Sequence, residues 1–255
     1  ATTIRTEIEL DLHPEENSRR REEFSARRAA LAEALAARER ELQANEFATW
    51  LAQLGGQALP ERPWSTWQVD SVTSSAGTKF EPLPDGSWRA TGTPPAREVI
   101  TILGTSHRAT QGALRLEALK DDSLPQGGPG RADNGNFALG DLRVEWRAGP
   151  GTERDQSGWQ PVSLTNPRAT HQQNADSLAI AASIDSDPIS GWAVDFGGIG
   201  QDQAAAFDFV APGHSDGVHQ FRLTLGFVHP NTNHTFGRFR ISSAATGGLS
   251  PRDEA

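Results

Sequence analysis

Three carboxylates lie close together in the chain, Asp176, Asp185 and Asp187. Calcium takes about six to eight oxygen ligands, commonly from flexible loops, so Asp185 and Asp187 with nearby carbonyls are candidate calcium ligands. Their spacing is not that of an EF-hand. The same two residues also suit a turn fixed by side-chain to backbone hydrogen bonds, and both readings stand.

A second candidate is the loop Gly127–Asn136, with four Gly and one Pro among its ten residues and with Arg131, Asp133, Asn134 and Asn136 as its polar side chains. It falls between two predicted strands. A phosphate-cradling loop needs a helix N-terminus behind it, so the chemistry left is hydrogen bonding. Arg131, Asn134 and Asn136 could bind sugar hydroxyls, or could satisfy the carbonyls of a long crossover. Further on, His234, Arg238 and Arg240 surround Phe236 and Phe239. Alternation puts the two Arg on one sheet face and Phe239 on the other. The pair could clamp a carboxylate or sulfate of an anionic glycan, or pair with internal Asp and Glu. Six Trp, Trp64, Trp67, Trp88, Trp146, Trp159 and Trp192, fall in or near the predicted strands. Trp192 is a candidate sugar contact, although most Trp of such a fold are core and at most two should be exposed.

Catalytic arrangements are hard to find. With no Cys there is no thiol nucleophile, thiolate zinc site, disulfide or covalent c-type haem attachment in this chain. No Gly-x-Ser-x-Gly elbow occurs. His214 and His219 stand five apart, as do His229 and His234, unlike the His-x-x-x-His pair of a helical zinc site. Two acids distant in the chain could still meet as a glycosidase pair. The expectation is a chain without enzyme activity.

The elements that must position these residues change character along the chain. Ile4, Thr6, Ile8, Leu10 and Leu12 alternate with charged residues, which predicts a strand over 1–12. His13-Pro14-Glu15-Glu16 carries the Pro and the acids of a helix start, no Gly or Pro follows until Gly55-Gly56, and Phe24, Leu31, Leu35 and Leu42 keep helical spacing. A long charged helix is therefore expected over 13–58, straight or folded back. It could connect to a neighbouring domain or pair as a coiled coil. From Pro60 short β-branched and aromatic runs alternate with turns such as Pro84-Asp85-Gly86. About eleven strands predict a mainly β domain over 60–248, a jelly-roll-like two-sheet β-sandwich preceded by a long α-helix. The polar residues 249–255 read as a disordered tail.

Composition agrees. The 255 residues include 25 Gly and 16 Pro, enough turns for many short strands, and 7 Trp and 11 Phe, enough apolar surface for a core. A net charge of −9 argues against a nucleic-acid partner. No run is long and apolar enough to span a membrane. With no Met and no signal peptide, the chain is expected to be a piece of a larger protein.

Two runs are distinctive. One is Leu114-Arg115-Leu116-Glu117-Ala118-Leu119, then Ser123-Leu124-Pro125, Gly127-Gly128-Pro129-Gly130-Arg131 and Asn134-Gly135-Asn136-Phe137-Ala138-Leu139. The other passes from Ala169-Thr170 through Ile184-Asp185-Ser186-Asp187 and Gly191-Trp192-Ala193-Val194 to His234-Thr235-Phe236-Gly237-Arg238-Phe239-Arg240-Ile241-Ser242. Together they resemble the sandwich domain of the large cytochrome-c-containing multi-domain proteins of planctomycetes and their relatives, where it lies between two domains of unknown function. The resemblance covers residues 14–245. It implies a periplasmic, cell-envelope or secreted setting, flanking domains of the parent chain as partners, and c-type haem in the parent alone. It brings no known activity. The stretch from Ala169 to Trp192 is also similar to discoidin-like carbohydrate-binding modules, with Ser186 where their turn has Gly. That likeness makes a glycan or polysaccharide the expected ligand, and a structural module that spaces the flanking domains is the rival.

Overall fold

The computed structural model describes residues 14–54, 64–106, 111–148, 158–187, 189–210 and 219–252. The expected strand over 1–12, the Gly55-Gly56 helix stop and the last three residues of the expected tail lie outside them. The chain divides into two units, 1–61 and 62–255.

In the first unit one helix, α1, runs Pro14–Leu54 with Glu15 and Glu16 in its first turn, where carboxylates complement the helix dipole. Glu16 pairs with Arg20 at 2.7 Å, one helical turn on. Of the apolar residues at helical spacing, Phe24, Leu31 and Leu35 are exposed.

The second unit is mainly β. Its strands are β1 (Ser65–Thr66), β2 (Gln68–Ser74), β3 (Lys79–Pro82), β4 (Trp88–Thr91), β5 (Glu98–Ser106), β6 (Gln111–Ala118), β7 (Ala138–Leu139), β8 (Asp141–Ala148), β9 (Gln160–Ala169), β10 (Trp192–Ala193), β11 (Gln203–Val210), β12 (His219–Phe227) and β13 (Arg238–Ala244). One antiparallel path, β2-β5-β12-β8-β9-β11-β6-β13-β4-β3, joins ten of them, with β1 added on β13. The result is a single barrel-like sheet that nearly closes, where two separate sheets were expected. The reason lies in β9. Its first residues, Gln160 to Val162, pair with β8, and its later ones, from Ser163, pair with β11, so one strand serves both halves. A register shift between Ala206 and Asp208 of β11 accommodates the bend.

Alternation fills the interior from both halves. Ile100 and Ile102 of β5, Phe221, Leu223 and Leu225 of β12, and Leu142, Val144 and Trp146 of β8 share one buried cluster with Leu114 and Leu116 of β6, Phe207 and Phe209 of β11, and Phe239 and Ile241 of β13. A smaller cluster, Trp64 with Ala113, Ala206 and Ala244, covers the outer face of β6, β11 and β13. Leu249 packs against it and the Leu249 carbonyl accepts a hydrogen bond from Arg168 Nε at 2.9 Å, so the beginning of the expected tail is part of the domain. The predicted strand Phe137–Arg147 is two strands. The Gly140 amide donates to Gly226 between them, β7 turns away to pair with β10, and β8 continues beside β12.

Gly130 lies where the 127–136 loop crosses the chain before β13. It bridges Phe236, and a side chain there would overlap the Asn136 carbonyl. Gly130→Ala is expected to lower stability by about 1–3 kcal/mol through this overlap, read as a lower denaturant midpoint at an unchanged m-value; an unchanged midpoint would show that the loop yields.

Candidate functional site

The sequence-predicted residues occupy three places, and each is bonded internally. Around the 127–136 loop, Arg131 is buried and donates through Nη2 to the carbonyls of Thr91 and Gly92. Burial lowers its pKa, partly countered by the nearby Glu98 charge. Asn136 is buried as well. Its Oδ1 accepts the Val194 amide at 3.0 Å and its Nδ2 donates to Gln173 Oε1 at 3.2 Å. Asn134 is exposed and donates to Asp195 Oδ2 at 3.2 Å. Trp192 is fully buried, with its indole N–H donated to the His171 carbonyl at 2.9 Å. A ring with no exposed face cannot stack on a sugar, so Trp192 is a core residue here and no sugar contact. Asn134, Asn136 and Trp192 are brought together around β10, whereas Arg131 is directed to the end of β4.

The Asp185 turn is closed by its own groups. Asp185 Oδ1 accepts the Asp187 amide at 2.7 Å, its Oδ2 accepts Ser190 Oγ at 2.9 Å, and Asp187 Oδ1 accepts the Ile189 amide at 3.0 Å. Among the described residues no group of three or more His, Asp or Glu is placed to hold a metal ion. Ser186, at the position of the expected turn glycine, has φ +69°. A residue with a Cβ in the left-handed region carries a cost of about 1 kcal/mol. Ser186→Gly is accordingly expected to raise stability by about 0.5–1 kcal/mol, visible as a higher thermal midpoint; a lower midpoint would mean that the Ser side chain stabilises the turn in another way.

On β13, Arg238 and Arg240 pair with internal acids. Arg240 grips Glu117 with two 2.8 Å bonds, and Arg238 reaches Asp85 Oδ2 at 2.6 Å and Ser87 Oγ at 2.9 Å. They fasten the Pro84-Asp85-Gly86 turn and β6 to β13. Burial pushes the Asp85 carboxyl up, but the Ser87 hydrogen bonds and the Arg238 charge outweigh it, so its pKa is lowered. The Glu117 hydrogen bonds raise the Arg240 pKa. Arg240, Glu117 and Asp85 line a cavity of about 820 Å³ with Trp64, Asp202 and Arg252. His234 Nδ1 lies 2.7 Å from the Thr232 carbonyl. Beside it, His229 has its pKa held below the usual 6.5 by burial and then by the charges of His234 and Arg97.

That last shift gives stability a pH dependence. Because protonation is disfavoured in the folded state, the contribution of His229 is complete above pH ~6.5 and is lost as pH falls below it. His229→Asn is expected to flatten the fall of stability on acidification from pH 7 to 5; an equally steep fall in the variant would remove His229 as the cause.

The site that sequence reasoning missed is on the outer face of β2, β5, β12 and β8. Register places Ser71, Leu103, Arg222 and Glu145 in one row across the four strands, and Thr73, Thr101 and Thr224 in the next. Trp159, just before β9, lies over this face. The Arg147 and Arg222 guanidinium carbons are 4.5 and 4.7 Å from its ring centroid. Arg222 Nε donates to Glu145 Oε2 at 2.7 Å, and Arg147 donates twice to Gln220 Oε1. Ser71, Thr73, Thr101, Leu103, Glu145, Trp159, Arg222 and Thr224 line a groove of about 420 Å³. Of the six Trp expected near the strands only Trp88 and Trp159 keep partial exposure. Period-2 alternation of Thr101, Leu103 and Thr105 against Gln220, Arg222 and Thr224 carried the signal, but pairing of strands over a hundred residues apart was needed to assemble it.

No protein-family model matches the chain, and no curated protein and no solved structure matches it either.

Proposed function

We propose that the chain is a non-catalytic glycan-binding module, and that its site is the groove beside Trp159. The observation that carries this reading is one solvent-reached indole standing at the edge of a sheet face that offers hydroxyls from three strands. An indole stacks on the apolar face of a pyranose while hydroxyl, carboxylate and guanidinium groups bond its hydroxyls. A groove of this volume falls within the range of ligand sites. Arg222 is already balanced by Glu145 and Arg147 is held by Gln220, which favours a neutral glycan over the anionic one suggested by Arg238 and Arg240. The parent we infer is a larger cell-envelope or periplasmic cytochrome-type protein, with haem elsewhere in it. For the fold we retain only a jelly-roll-like arrangement in which the two halves of the one barrel-like sheet contribute to a shared core.

A rival is a scaffolding module that spaces the flanking domains. It is favoured by the internal bonding of Arg131, Asn136, Arg238 and Arg240, which serves stability and leaves those loops closed.

Affinity electrophoresis through gels containing xylan, glucan, mannan or soluble chitin separates the two. Retardation by at least one neutral polysaccharide is expected, and Trp159→Ala should weaken it by about 1–2 kcal/mol, roughly five- to thirtyfold in Kd. Mobility unchanged in every gel, or retardation that Trp159→Ala leaves intact, defeats the reading of this groove.

A further inference from the structure

A second aromatic stands where burial does not explain it. Phe196 is 79% exposed, the most exposed of the large apolar side chains described, and its φ is +60°. A bulky residue in the left-handed region is a true outlier and has to be held there by its surroundings. Those surroundings are visible. The Phe196 amide donates to Asp195 Oδ1 at 2.8 Å, and His171 Nε2 lies 3.1 Å from the Asp195 carbonyl. Gly198 donates to the Val194 carbonyl at 3.0 Å, Gly200 to Gly128 at 2.6 Å, and Gln201 Nε2 to Gly197 at 2.9 Å. The loop is thus pinned at both ends, and its strained residue presents a ring to water.

The loop that carries the ring is bonded to a polar neighbour. Asp195, next in the chain, holds Asn134 of the neighbouring loop by the 3.2 Å bond, and Ile199 lies directly under Gly135. Asn134 keeps a second amide hydrogen and Asp195 keeps acceptor capacity. Between them, stretches 132–136 and 195–201 carry Asp133 and Asp195 and no Lys or Arg. An exposed ring on a loop that also offers a carboxylate, itself bonded to the amide of the neighbouring loop, suits a pyranose, whose C–H face is apolar and whose edge carries hydroxyls. The absence of basic residues disfavours sulfated or uronic sugars.

We propose that Phe196, Asn134 and Asp195 form a second sugar contact of this chain, one that takes a single neutral pyranose unit at a loop tip. It rests on the glycan-binding reading above but uses residues separate from the Trp159 groove. The backbone strain is then part of the site, since it orients the ring before the sugar arrives.

The test is an amide-shift titration of the full chain with methyl glycosides of glucose, xylose, mannose and N-acetylglucosamine, with glucuronic acid as the anionic control. At least one neutral glycoside is expected to shift the Phe196 and Gly197 amides and the Asn134 side-chain amide. Those shifts should persist in Trp159→Ala, vanish or weaken at least tenfold in Phe196→Ala, and be smaller with glucuronic acid. Phe196→Gly should lose the binding while unfolding at a midpoint no lower than the wild type, which a purely structural role for the ring would not allow. Shifts that survive Phe196→Ala overturn the proposal. So does perturbation of the Trp159 indole by neutral oligosaccharides with no change at Phe196, a result that leaves the groove standing. No perturbation at either place with any neutral sugar removes both sites together.

Discussion

Phe236 meets four other aromatic rings. Phe137 lies 4.6 Å away, Phe227 4.9 Å, Phe239 6.3 Å and Trp192 6.5 Å between centroids, most of them edge to face. The chain has no Cys and so no covalent staple. This contact ties the two-residue ribbon of β7 and β10, which lies off the main hydrogen-bonded path, to the end of β12 and the start of β13. Each ring pair adds about 0.5–1.5 kcal/mol beyond the area it buries. The nearly closed sheet depends on that cluster, and the loops over it take their shape from it.

The position of Trp192 in this cluster explains why the neighbouring polar residues are used for bonding within the fold. With the indole buried, its N–H needs a carbonyl, and His171 supplies one. The Val194 amide then needs an acceptor, and Asn136 supplies it. Buried polar groups of this kind are satisfied from whatever lies near, and Arg131, Asn136 and Gln173 are drawn into that role. At the surface of these loops exposed Asn134 and Phe196 are both bonded to half-buried Asp195.

The two sheet faces have different uses. Over β6, β11 and β13 small residues let Trp64 and Leu249 lie flat, and Arg115 sits beneath the Trp64 ring at 5.0 Å. Over β2, β5, β12 and β8 the outward residues are larger and polar, in rows of hydroxyls and paired charges. Such pairs contribute little to stability when solvated. Two of the guanidinium groups there, of Arg147 and Arg222, lie against the Trp159 ring.

Most strand positions were legible in the sequence because period-2 alternation and turn chemistry are local. The runs at Glu98–Leu103, Gln160–Thr170 and Ala204–Val210 lie within a few residues of β5, β9 and β11, and the helix begins at its Pro14 signal. The alternation of Arg238 and Arg240 against Phe239 was equally readable. Their partners were not, because Glu117 and Asp85 lie 123 and 153 residues away from Arg240 and Arg238 along the chain. Nor could local pattern show that β9 is shared by both halves of the sheet, that Trp192 is wholly buried while Trp159 is not, or that Phe196 is turned out to solvent. Sequence determined which residues alternate and where the chain turns; long-range strand pairing and packing decided which side chains the core consumed and which it left to meet a ligand.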